Sequence, residues 1–128
     1  MYKEIIIIVL IVIFIFGLNI ITQNYTESTA KIMQESLGEI RDDLEKDKEA
    51  KIIQEKVKKL NEQWEERNDN LAYYLEHDEL EKIESELTAL NSNIVMEDYK
   101  QGRENLDRCY FLLEHVKDKE TVTLSNIF

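Results

Sequence analysis

The residues able to do chemistry in this 128-residue chain are few. It holds two histidines, His77 and His115, and one cysteine, Cys109. His77 and Glu81 are spaced i, i+4 and would share a helix face, and Glu114 adjoins His115. Such a set suits a metal ion, or a pH-sensitive polar contact, because imidazole titrates near neutrality. The spacing fits neither common helical metal motif. There is no Glu-x-x-His pair of the di-iron kind and no His-Glu-x-x-His zinc motif. One histidine per helix is also what a surface or capping residue gives, so no metal and no cofactor are expected.

A single cysteine cannot form an intramolecular disulfide. Cys109 falls on an apolar helical stripe, with only Arg108 as a basic neighbour, turned partly away. That pattern reads as a buried structural thiol, with an intermolecular disulfide or a reactive thiol as the alternatives. No nucleophile–base pair and no phosphate-cradling glycine loop occurs, so no enzyme is expected. Trp64, Tyr73, Tyr74, Tyr99 and Tyr110 sit at helical spacing. They read as core or rim residues rather than a ligand pocket, and Trp64 is kept as a candidate contact residue.

The elements that must position these groups are helical. Proline is absent and glycine occurs only at 17, 38 and 102. Glu, Lys, Leu and Ile dominate, and all favour helix or its buried face. With 27 acidic and 16 basic residues the net charge is −11, which argues against a nucleic-acid partner.

Residues 5–21, "IIIIVLIVIFIFGLNII", contain fifteen strongly apolar residues in seventeen, with Gly17 and Asn19 the exceptions. Seventeen helical residues cover roughly 25 Å of a bilayer core of about 30 Å. Uncharged Thr22, Gln23 and Asn24 can extend the span, and Tyr2 and Tyr25 bracket it as interfacial aromatics do. A cleaved signal peptide would have a shorter apolar run and a small-residue cleavage site, which "LNIITQN" does not offer. Residues 1–25 are therefore expected to be an uncleaved single-pass anchor. Lys3 before the span points to a cytoplasmic N-terminus in the cell membrane, with the remaining domain extracytoplasmic.

Four stripes of apolar residues at steps of three and four follow. They are Ala30, Met33, Leu37, Ile40, Leu44; Ile53, Val57, Leu60, Trp64, Leu71, Tyr74; Leu80, Ile83, Leu87, Leu90, Ile94; and Tyr99, Gly102, Leu106, Cys109, Leu113, Val116. The expected fold is all-α: the transmembrane helix, then an antiparallel up-down-up-down four-helix bundle over 26–120, then an apolar tail over 121–128. A long parallel coiled coil is the competing architecture; breaks near 47, 77 and 95 favour the bundle. Asp47 is expected to cap the second helix and Asp78, with Glu81 three residues on, the third. Asp98 or Asn93 is expected to cap the fourth. The first bundle helix is expected to continue from the anchor, and the triplet "NDN" at 68–70 to fray or bend the second. This topology brings His77, His115 and the tail "TVTLSNIF" to the membrane-proximal end.

The tail carries Val122, Leu124, Ile127 and Phe128. Burying these four gains roughly 6–12 kcal/mol, and ordering eight residues costs about 8–16 kcal/mol. The near-balance means that a groove at the bundle base, the bilayer interface or a partner must favour its order. Leu124, Asn126, Ile127 and Phe128, with His77, His115 and Trp64, are the candidate interaction residues.

With these elements placed, the chain resembles a known family. The apolar anchor, Trp64, "EHDELEKIE" at 76–84, Asp98, and Glu120 before "LSNIF" are similar to the membrane-anchored proteins of Gram-positive, often spore-forming, bacteria grouped as domain-of-unknown-function family 4363. The resemblance covers most of the chain, and "SNIF" and His77 with its acidic followers are its most specific parts. It implies one anchor, an all-helical extracytoplasmic domain and no assigned activity. Its members resemble small companions of multi-pass membrane proteins, and there are no family catalytic residues to transfer. The expected function is a membrane-anchored interaction module that binds or accompanies another membrane or envelope protein. The alternative is a ligand- or pH-sensing bundle acting through a separate transducer, since nothing follows the bundle and only four residues precede the anchor. No nucleic acid and no small-molecule substrate are expected.

Overall fold

The computed structural model describes residues 2–72 and 75–127, with the backbone alone for 119–127. The chain forms α1 (Tyr2–Glu45), α2 (Ala50–Leu71), α3 (His77–Val95) and α4 (Tyr99–Ile127). Each helix packs on its neighbours in sequence, and α4 packs back on α1. The result is a closed ring of four helices around one core, the expected bundle.

The stripes read from the sequence form that core. Met33, Leu37, Ile40, Val57, Leu60, Ile83, Leu87, Leu90, Leu106 and Cys109 are all buried. The stripes of the four helices face one another, and the turns after α1, α2 and α3 let the chain fold back so that they close into a bundle. Leu44 and Tyr99 are only partly buried at the ends. Gly102 lets α3 and α4 approach closely: a Cβ there would meet Ile94 Cδ1 at 3.0 Å.

α1 is the feature that organises the molecule. Its 44 residues run without a break from the apolar segment into the bundle, a rod of about 66 Å. Residues 5–16 are exposed throughout, whereas Thr26, Thr29, Ala30 and Met33 are buried. Among the described residues α1 is the one helix long and apolar enough to cross a membrane, and none of its apolar window is buried by the rest of the chain. One long apolar helix at the N-terminus fits a single-pass anchor.

The helix ends differ from the expected caps. The N-cap of α3 is Glu76, without a side-chain cap bond, so Asp78 is a first-turn residue and not the cap. It still interacts favourably with the positive end of the helix dipole. Asp47 does not cap α2, whose N-cap is Glu49. Instead Asp47 takes the left-handed conformation, φ 52°, that ends α1. The Lys48 amide then donates to the Asp43 carbonyl, 3.1 Å away. Glu97, φ 59°, does the same after α3, with the Asp98 amide donating to the Asn93 carbonyl at 2.8 Å. Both turns are Schellman motifs built without glycine. Asp98 caps α4 as expected, accepting from the Gln101 amide at 3.4 Å. The "NDN" triplet is helical and lies in the last turn of α2, which ends at Leu71.

Candidate functional site

The seams between helices fix where each polar group sits. Along α1 and α4, Gln34 pairs with Glu114, Arg41 with Asp107, and Glu45 with Arg103. As one number rises the other falls, which makes the two helices antiparallel. Continuing that register brings residues 121–127 of α4 level with residues 21–27 of α1, at the foot of the apolar segment. Along α1 and α2, Ser36 donates to Gln63 at 3.3 Å and Arg67 to Thr29 at 2.9 Å. Arg67 also lies over the Tyr25 ring, 5.8 Å from its centroid.

A polar network crosses α3 and α4. Asn93 Nδ2 donates to Asn105 Oδ1 at 2.6 Å, and Asn105 Nδ2 donates to Glu86 Oε2 at 3.0 Å. Arg108 Nε donates to Glu86 Oε1, also at 3.0 Å. Beside it Cys109 is free and fully buried. Burial, reinforced by the charge of Glu86, pushes its thiol up to about 12. It is therefore a neutral packing residue and not a nucleophile. Lys56 holds its proton above the ordinary lysine value, because it hydrogen-bonds Asp43 and lies in that carboxylate's field against a smaller desolvation cost.

The structure separates the candidate interaction residues. His77 is exposed at the start of α3, with Nε2 2.8 Å from Glu81 Oε1, the i, i+4 contact that the spacing implied. His115 lines a shallow hollow with Glu79, Lys82, Leu112 and Val116. Both belong to the end of the bundle nearest the apolar segment. No group of three or more metal-ligating side chains converges among the described residues. Trp64 is 2% exposed and packs in the core, so it offers no surface to a partner. Its Nε1, like Thr26 Oγ1, is buried without a hydrogen-bond partner among the described residues. The side chains of Leu124, Asn126 and Ile127, and all of Phe128, Tyr73 and Tyr74, lie outside the described residues.

One surface feature was not anticipated. A groove of about 650 Å³ runs between α3 and α4, with Asp78, Glu81 and Lys82 on one wall and Arg108, Phe111 and Leu112 on the other. Phe111 is 69% exposed at its edge. Apart from the N-terminal apolar segment, only Ile52, Val95, Met96 and Phe111 are exposed large apolar residues among the described residues, and the first three lie at the far end of the bundle. Periodicity passes over Phe111 because it stands between the stripe positions Cys109 and Leu113. Its only sequence signal is that it is a large aromatic off the buried face.

The comparisons with known proteins add one positive finding. No curated protein and no solved structure matches the chain. The model of the family described as "Domain of unknown function (DUF4363)" matches residues 20–127, nearly the whole chain beyond the apolar segment. The match spans all four helices of the bundle, so the chain belongs to the DUF4363 family.

Proposed function

We propose that the protein is a single-pass membrane protein whose helical bundle is an interaction module for another membrane or envelope protein. The observation that carries the reading is α1 itself. An unburied apolar segment passes without a hinge into a wall of the bundle, so the membrane fixes the bundle's position and orientation. A bundle held in this way is presented to neighbours in the same membrane. Lys3 before the span supports a cytoplasmic N-terminus, with the bundle on the outer side of the cell membrane. The acidic balance supports a bundle that stands off anionic headgroups rather than lying on them. Hydrogen bonds and ion pairs tie α1 to α2 and α4, and α3 to α4, an arrangement suited to holding a shape.

Cross-linking mass spectrometry in native membranes tests this reading without a prior choice of partner. The expected result is a recurrent cross-link from the bundle to one membrane or envelope protein. Repeated recovery of the chain alone, across cross-linkers and after mild detergent purification, would contradict it.

A further inference from the structure

We propose that the groove between α3 and α4 docks a basic amphipathic helix of a partner embedded in the same membrane, with an apolar side chain of that helix against Phe111. The inference rests on the interaction-module reading and names the partner's chemistry.

The seam pairs set a common height across the bundle. Ser36 of α1 is level with Gln63 of α2, and by the α1–α4 register with residue 112. The Asn93–Asn105 pair carries the same level to about residue 85 of α3. This divides the bundle into two comparable halves. The half nearest the anchor, residues 22–35, 63–72, 75–84 and 113–127, holds 13 acidic and 5 basic residues, a net −8. The far half, residues 36–62 and 85–112, holds 13 acidic and 10 basic residues, a net −3. The charge excess is therefore concentrated beside the membrane.

The groove lies on this gradient. Asp78, Glu81 and Lys82 open it toward the acidic half, and Phe111 and Leu112 supply apolar surface at mid-height. Within the groove Arg108 is paired with Glu86 and Asp107 with Arg41, which leaves Asp78 and Glu81 against Lys82, a net −1 on the wall that faces the acidic half. Phe111 is level with Leu37, about 18 Å beyond Tyr25 along the helix, within reach of a juxtamembrane segment. Charge complementarity decides the occupant. A second copy would bring another −11 against the first, and an anionic bilayer would be repelled in the same way. A cationic helix with an apolar stripe satisfies both the acidic wall and the exposed ring.

The test uses the full chain in phosphatidylcholine nanodiscs, titrated with a synthetic 14-residue Leu/Lys amphipathic helix and with its Leu/Glu counterpart, after subtraction of empty discs. The Leu/Lys peptide should bind and the Leu/Glu peptide should not. Phe111→Ser should weaken binding about tenfold or more, as loss of an aromatic that anchors an interface does, and Glu81→Lys should also weaken it. Ile52→Ser, at the far end, should leave it unchanged. Both altered groove residues are exposed, so the melting temperature should not move and a folding defect would be visible. Equal binding by Phe111→Ser, equal binding of the Leu/Glu peptide, or no binding of the Leu/Lys peptide would overturn the proposal. So would dimerisation of the chain that Phe111→Ser abolishes, which would make the occupant a second copy. A photo-cross-linker placed in native membranes separates this inference from the reading it rests on. A partner captured from position 52 but not from 111 overturns the groove alone, and no partner from any position overturns both.

Discussion

Gln34 of α1 donates a hydrogen bond of 2.8 Å to the Glu114 carboxylate of α4, inside the seam that ties the first helix to the last. Gln34 is only 8% exposed, so its amide has few alternatives in water. Gln34→Ala should destabilise the bundle by about 1.5–3 kcal/mol, the range for a hydrogen bond to a charged group. Gln34→Glu should cost more at pH 8, where it sets two carboxylates together, and less at pH 4. Thermal melts of the purified chain at the two pH values check both outcomes.

The left-handed turns offer a stabilising change. Glu97 occupies φ 59° at the end of α3, a conformation that costs an L-residue about 1–2 kcal/mol. Glu97→Gly should raise stability by about 1 kcal/mol, offset slightly by the extra freedom of glycine in the unfolded chain. That corresponds to roughly 4–8 °C in melting temperature for a domain of this size. A fall would mean that the Glu97 side chain makes a contact worth more than the strain.

Alkaline pH should weaken the bundle through Cys109 before it does so through Lys56. The folded Cys109 thiol titrates at about 12 against an ordinary value of 9.0. Between those values the unfolded chain has lost the proton and the folded chain has kept it, so stability falls as pH rises. The loss should reach about 1.4 kcal/mol by pH 10. The Lys56–Asp43 contribution is intact below the ordinary lysine value and fades only as pH climbs through the raised one. Denaturant unfolding at pH 8 and pH 10 should show the drop in the native chain. It should be largely absent in Cys109→Ala, whose baseline stability is lower through lost packing.

The bundle was legible because its core residues are apolar and regularly spaced. Ile53, Val57, Leu60 and Trp64 read as a stripe and form one wall of the core. Thr26, Thr29, Gln34, Asp43 and Asn105 are buried too, yet an apolar count passes over them. Thr26 is in phase with Ala30, Met33, Leu37 and Ile40, so a stripe defined by position would have included it. The caps at Asp47 and Asp78 were misread because a good capping residue near a break does not say on which side of it the helix starts. The αL turns had no glycine to announce them. Phe111 and its groove arise from the pairing of α3 with α4, which no single stripe encodes.

On the proposed reading, α1 anchors the chain in the cell membrane with the bundle on the outer side. The direct measurement is labelling of single engineered cysteines by a membrane-impermeant maleimide, in cells producing the full chain. The native chain serves as the blank, since Cys109 is buried and protonated. Glu62→Cys, on the exposed face of α2, should label in intact cells, and Tyr2→Cys only after the membrane is permeabilised. Labelling of Glu62→Cys only after permeabilisation, or of Tyr2→Cys in intact cells, would contradict the account.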